Sequence, residues 1–125
     1  MNGLNFYKEF VDKCVGLLGK DYGGCINARR MRNKERMGDG CPDSKYNVFL
    51  DVLNDEQLEL LAQMLDDNRQ EAIHDFLAML EEDMCDDDGL RLVKNGVELP
   101  VDPFDSEIYY DFICRCEGDD WPKAD

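Results

Sequence analysis

Apolar residues recur at three- and four-residue steps in several separate stretches of this chain, and this spacing limits the fold more than any other feature. In residues 4–18 the stripe comprises Phe6, Phe10, Cys14 and Leu17. A step of three or four residues returns to the same side of an α-helix, so each stripe predicts an amphipathic helix with one buried face. We therefore expect several helices packed around a common apolar core.

The strongest helix start lies at Asn54. Its side chain precedes Gln57 by three residues, the arrangement of a capping box. Apolar stripes follow until the acidic run that ends at Gly89, and their members are Leu58, Leu61, Ala62, Leu65, Ile73, Leu77 and Leu80. Ser106 is placed to cap a last helix over residues 107–116.

The periodicity changes between the last two helical stretches. Residues 90–93 and 97–99 are short apolar runs on either side of Asn95-Gly96. Both turn residues tolerate positive φ, so the pair predicts a β-hairpin near residues 90–99. The predicted class is α+β, mostly α, with four or five helices and one small hairpin. The predicted core is Phe6, Phe10, Val48, Phe49, Leu53, Leu58, Leu61, Leu65, Ile73, Leu77, Leu80, Ile108 and Phe112.

The length of 125 residues suits a single globular domain over residues 1–125. Within it we expect a basic, glycine-flanked connecting segment at 21–42 and a short acidic tail at 117–125. The apolar residues of 26–37 are too sparse to decide between helix and loop. The sequence has no run of about 18 apolar residues, so we expect no membrane partner.

The first ten residues have no basic region followed by an apolar one, so we expect a cytoplasmic protein with six reduced cysteines. The cysteine spacings contain no Cys-x-x-Cys pair, and Cys114 and Cys116 would point to opposite sides of a helix. A calcium loop at 84–95 fails because its first and last positions are Met84 and Asn95. We expect no metal, no cofactor and no catalytic residue, and an enzyme is the less favoured class.

Charge is distributed unevenly along the chain. Residues 1–45 carry a net charge of +3, whereas residues 46–125 carry −18. The basic side chains concentrate in one segment, at Arg29, Arg30, Arg32, Lys34 and Arg36. This segment neutralises the acidic part of the same molecule or of a second copy in a homo-oligomer, binds an anion such as a phosphate, or contacts an acidic protein partner. Nucleic acid is disfavoured because the whole molecule repels a polyanion.

The acidic part also has two interpretations. It is either a solvated face that maintains solubility or a surface that captures a basic protein partner. Specific capture needs aromatic anchors. The candidate contact residues are Tyr109, Tyr110, Trp121, Asp119 and Asp120. The leading hypothesis is therefore a small acidic protein-binding module, and the alternative is a small-ligand or phosphate-binding protein or enzyme whose site lies near residues 29–36.

Residues 90–101 and 109–122, together with Ile26-Asn27, 33–37, Glu56-Gln57 and 61–65, resemble a family of small acidic bacterial cytoplasmic proteins of unknown function. This resemblance implies a bacterial cytoplasmic origin and assigns no catalytic residue. The acidic Tyr109-Tyr110 segment is also similar to the colicin-immunity proteins, which are small, acidic and helical. That similarity implies that such a composition can serve to inhibit a basic enzyme.

Overall fold

A computed structural model describes residues 2–18 and 45–123 of the protein. Within these residues there are four helices and one two-stranded sheet. The helices are α1 (Gly3–Gly16), α2 (Lys45–Asp51), α3 (Asp55–Met84) and α4 (Ile108–Cys116). Strands β1 (Val93–Lys94) and β2 (Val97–Glu98) pair antiparallel. The predicted mostly helical α+β class is therefore confirmed.

The chain forms two compact units, a terminal unit of residues 1–16 and 71–125 and a middle unit of residues 17–70. In the terminal unit, α1 packs against α4 and also contacts β2. Its most deeply buried side chains come from α1, α3, α4 and the residue after β2: Tyr7, Val11, Leu77, Leu80, Leu99, Ile108 and Phe112. The expectation of one domain over residues 1–125 stays a prediction.

The middle unit has a smaller apolar cluster. Leu50 of α2 and Leu58 of α3 are buried, and Leu53 and Leu61 pack against them. Three of the predicted core residues are wrong, because Val48 is 55% exposed, Phe49 53% and Leu65 40%. The seven-residue helix α2 buries one side chain of its Val48-Phe49-Leu50 run, since adjacent residues of a helix point in different directions.

The capping box at the start of α3 is present. The backbone N–H of Asn54 donates to Gln57 Oε1 at 2.9 Å, and the backbone N–H of Gln57 donates to Asn54 Oδ1 at 2.8 Å. These reciprocal bonds satisfy backbone donors that the first turn of a helix leaves without partners. Helix α3 then continues through Asp66-Asp67-Asn68 without interruption and ends at Met84.

The hairpin is also where the sequence predicts it. Val93 lies opposite Glu98, and Lys94 lies opposite Val97. Asn95 has a φ of 52° and Gly96 a φ of 78°, so both turn residues are left-handed, as a two-residue type I′ turn requires. The Leu99 N–H donates to the Leu92 carbonyl at 2.8 Å, which extends the pairing by one rung.

The predicted cap of the last helix is wrong. Helix α4 begins at Ile108, and Glu107 precedes it as an N-cap without a side-chain capping bond. The Ser106 hydroxyl instead donates to Asp111 Oδ1 at 2.6 Å. An N-cap hydroxyl would accept a hydrogen bond from a backbone N–H, whereas the Ser106 hydroxyl donates to a buried carboxyl group, and hydrogen bonds that involve a charged group are shorter and stronger.

None of the helices in the described part combines the length and apolar character that crossing a lipid bilayer requires.

Candidate functional site

An open cavity of about 320 Å³ lies on the terminal unit beside α4. We call it the acidic cleft. Its lining residues come from the loop before α4, from α4 itself and from the C-terminal residues: Phe104, Ser106, Tyr110, Asp111, Cys114, Arg115, Asp119, Asp120, Trp121 and Pro122. Four of the five predicted partner-contact residues therefore line one cavity, and Tyr109 is the exception.

The C-terminus of α4 brings the acidic residues to the cleft. The Gly118 N–H donates to the Arg115 carbonyl at 3.1 Å, and the Asp119 N–H donates to the Cys114 carbonyl at 3.0 Å. This pair of bonds is a Schellman motif, which needs a left-handed residue after the helix. Gly118 supplies it with a φ of 89°. The chain therefore reverses at Gly118, and residues 119–122 form one wall of the cleft.

Trp121 is the centre of that wall. Its ring stacks on Phe104 with centroids 5.5 Å apart, and it meets the edge of Tyr7 at 6.1 Å. The Arg115 guanidinium lies 4.9 Å from the ring centroid, and the indole N–H donates to Asp12 Oδ2 at 3.2 Å. Trp121 therefore holds the C-terminal residues against α1 and α4, in addition to lining the cleft.

The two adjacent tyrosines have different surroundings. Tyr110 lines the cleft and is 57% exposed. Tyr109 packs edge-on against His74 with ring centroids 5.2 Å apart and does not line the cleft. Successive helix residues are about 100° apart, so one tyrosine reaches the cleft while its neighbour points toward α3. Tyr110 is thus the aromatic side chain of the cleft that is most available to a partner.

A buried hydrogen-bonded group lies at the floor of the cleft. Asp111 is only 5% exposed, and it accepts hydrogen bonds from the Tyr7 hydroxyl at 2.5 Å and from the Ser106 hydroxyl at 2.6 Å. Burial, the hydrogen bond to Asp111 and the nearby carboxylates raise the pKa of Tyr7 above its ordinary value. Tyr7 therefore remains a neutral donor at physiological pH.

The sequence contains a signal for this buried group, although Asp111 is absent from the predicted site. Asp111 falls between Ile108 and Phe112, in the middle of an apolar helix stripe. A carboxylate at such a position is buried at a cost unless donors meet it. Its donors Tyr7 and Ser106 lie 104 and five residues away in sequence. The buried charge was therefore predictable, but the more distant of its partners was not.

A second cavity of about 320 Å³ lies between α1 and the hairpin. Its floor is apolar, with Phe6, Phe10, Leu92 and Val93, and its lining also includes Lys13, Lys94 and Glu9. The two lysines both bond to Glu9, at 3.7 Å and 3.4 Å. Because these ionic groups pair with each other, the cavity has less charge to offer a ligand than the acidic cleft does.

The other predicted site, the anion contact at Arg29, Arg30, Arg32, Lys34 and Arg36, lies outside the described residues and stays a prediction. Among the described cysteines, Cys14, Cys85, Cys114 and Cys116 are free thiols. In the part of the chain that the structure covers, no three His, Cys, Asp or Glu side chains meet in a way that would hold a metal ion.

The fold and the cleft define a small, mostly helical α+β protein with an acidic and aromatic cavity beside its last helix. A family of unknown function, DUF6547, matches residues 1–123, and the chain belongs to this family. No curated protein and no solved structure matches the chain.

Proposed function

We propose that this protein is a binding module whose acidic cleft holds a lysine or arginine side chain from a basic protein partner. The observation that carries the proposal is the position of Tyr110, an exposed aromatic ring in the same cavity as Asp119 and Asp120. A cation that enters such a cavity meets the negative face of an aromatic ring and carboxylates. This combination favours a cationic guest over a neutral or anionic one.

The charges of the cleft support a cationic guest. Arg115 lines the cavity, but its guanidinium is already bonded to Asp12 at 2.9 Å and to the Asp119 carbonyl at 2.7 Å. Among the ion pairs of the described residues, none includes Asp119 or Asp120. The two carboxylates are therefore available to a partner, and both side chains are exposed.

The partner proposed is a basic protein, and the proposed role is inhibition of that protein, as with an immunity protein. The setting proposed is the cytoplasm of a bacterium. The partner, the role and the setting rest on the sequence expectations, namely the acidic composition and the resemblance of residues 90–101 and 109–122. A second copy of this chain is a further candidate partner, because the basic segment at 29–36 is complementary in charge to the acidic part of another copy.

A synthetic lysine- and arginine-rich peptide provides the first test, with binding measured by isothermal titration calorimetry. The adjacent tyrosines provide a matched pair of variants. We expect Tyr110→Ala to weaken binding by about tenfold or more, because a central aromatic anchor carries much of the binding energy. Tyr109→Ala, outside the cleft, should leave affinity within about twofold of the parent protein.

A pair of charge variants distinguishes binding in the cleft from electrostatic attraction of the peptide to the acidic protein as a whole. The double variant Asp87→Asn/Asp88→Asn removes two exposed negative charges outside the cleft, and Asp119→Asn/Asp120→Asn removes two inside it. Equal loss of affinity from both pairs, or equal loss from both tyrosine variants, would contradict the proposal. A photoreactive amino acid at position 110, with position 109 as its control, then tests whether a natural partner occupies the cleft.

A further inference from the structure

Two carboxyl groups meet inside the terminal unit without a cation between them. Glu81 of α3 is 7% exposed, and Asp102 lies in the loop of residues 100–107 that precedes α4. The two carboxyl groups are close enough that a hydrogen bond between them is among the causes that raise the pKa of Glu81. Glu81 Oε1 and Asp102 Oδ1 are each fully buried, and neither receives a hydrogen bond from any donor in the structure.

Two buried oxygens without donors destabilise the folded state, because each has lost its hydrogen bonds to water and accepts none from the protein. Two ionised carboxylates in contact would add electrostatic repulsion. A single proton between them removes both costs, because the protonated group becomes the donor that the other lacks. We propose that Glu81 and Asp102 share one proton in the folded protein and that the resulting hydrogen bond holds the loop of residues 100–107 against α3.

The groups around the pair favour the proton. Glu107, which precedes α4, raises the pKa of Glu81 through its charge. Burial and, to a lesser extent, nearby carboxyl groups that include Glu81 and Asp102 raise the pKa values of Tyr7 on α1 and Tyr109 on α4. Cys85 follows the last residue of α3, and its backbone N–H donates to the Glu81 carbonyl at 3.1 Å. Asp111 is close through its bond with Tyr7. These groups are acidic or neutral. The cation Arg91, whose charge acts on Cys85, is paired with Glu98 at 3.1 Å, and no ion pair within residues 2–18 and 45–123 includes Glu81 or Asp102.

Burial, followed by the contact with Asp102, raises the pKa of Glu81 to about 8, although the backbone N–H of Ile108 acts in the opposite direction. Glu81 therefore retains a proton at neutral pH in the folded protein and loses it on unfolding. Because the folded state binds the extra proton, the free energy of unfolding falls as pH rises from the ordinary Glu pKa of 4.5 to about 8 and then levels off.

The proton also bears on the acidic cleft. The same loop supplies Phe104 and Ser106 to the cleft lining. It contains two non-glycine residues in the left-handed region, Asp102 at a φ of 49° and Asp105 at a φ of 60°. Such conformations persist only where surrounding contacts hold them. Loss of the proton should therefore loosen one wall of the cleft, a consequence that rests on the proposed function.

The direct test is carbon-detected NMR of the Glu81 carboxyl in the full chain, which needs neither a partner nor a variant. The expected titration midpoint is near 8, and a midpoint near the ordinary value of 4.5 would overturn the proposal. Because this measurement does not involve the cleft, its failure is distinct from failure of basic-peptide binding.

The second test is urea unfolding of the variant Glu81→Gln between about pH 5 and pH 9. Glutamine keeps the size of the side chain and donates to Asp102 without ionising. The free energy of unfolding of this variant should lack the part of the pH dependence that corresponds to about one proton released on unfolding. Glu82→Gln, at the exposed neighbouring position, should retain the pH profile of the parent protein. Identical profiles for the parent and Glu81→Gln would overturn the proposal. If Glu81→Gln does not fold, Asp102→Asn tests the pair from the loop side. Its pH dependence should become smaller than that of the parent without vanishing, because burial still raises the pKa of Glu81, and an unchanged profile would overturn the proposal.

Discussion

The Asp111 carboxylate lies in the interior of the terminal unit with two hydroxyl groups bonded to it, one from α1 and one from the loop before α4. It thereby links three parts of the chain, two of which are far apart in sequence. Its energetic importance follows from burial, because a buried charge that loses a donor is left with the cost of its desolvation. The bond from Tyr7 is the one that crosses from the first helix to the last.

Removal of the Tyr7 hydroxyl tests this link. We expect Tyr7→Phe to lower the free energy of unfolding by about 1–3 kcal/mol, because the buried Asp111 carboxyl group loses one of its two donors. Urea denaturation followed by circular dichroism at neutral pH measures the loss. Tyr110→Phe removes the same hydroxyl from an exposed ring and should leave stability unchanged. Equal stability of the two variants would show that the buried bond contributes nothing.

At the level of elements, the features that the sequence predicted well are local ones. The capping box of α3 involves Asn54 and Gln57, and the hairpin turn involves Asn95 and Gly96. Neighbouring residues determine such structures, so the pattern is sufficient. Burial on α2 and α3 was predicted less well, because amphipathic spacing identifies a face but not which part of it another element covers.

The connection after α3 gives a prediction of its own. A Cβ at Gly89 would lie 1.7 Å from the Asp83 carbonyl oxygen, so the backbone must shift to accept a side chain. We expect Gly89→Ala to cost about 2 kcal/mol or more. At Gly16, the last residue of α1, no heavy atom lies within 4 Å of the added carbon. Gly16→Ala should change stability by less than about 1 kcal/mol.

Thermal or urea unfolding of both glycine variants makes the comparison within the terminal unit. If Gly89→Ala is as stable as Gly16→Ala, the close approach of residue 89 to the end of α3 is wrong.

For the whole molecule, the dominant property is a net charge of −15. Four of the residues predicted to contact a partner line one cavity, because Asp119, Asp120 and Trp121 are adjacent in sequence and follow the turn at Gly118, and Tyr110 lines the same cavity. Their role in binding stays a prediction. The structural role of Trp121 was not predictable, since its partners Tyr7 and Asp12 belong to the first helix. Charge acts over longer distances than these contacts and affects encounter with a partner.

The long-range charge predicts how rates of association depend on salt. Asp119→Asn/Asp120→Asn should mainly slow association with a basic peptide, and the difference from the parent should shrink as salt rises, because exposed charges act through a screened field. Tyr110→Ala should mainly raise the dissociation rate at every salt concentration. Surface plasmon resonance at low and high ionic strength measures both rates. A salt-independent loss shared equally by the two variants would contradict this division.

The chain contains one tryptophan, and its ring is in contact with Phe104, Tyr7 and Arg115 at the wall of the cleft. Its fluorescence is therefore a label-free signal from the wall of the cleft. The emission maximum and the intensity both change when the indole ring becomes exposed to solvent. Circular dichroism, by contrast, reports all helices together. Recording both signals in one denaturation shows whether the two compact units lose structure together, because a two-state protein gives coincident transitions.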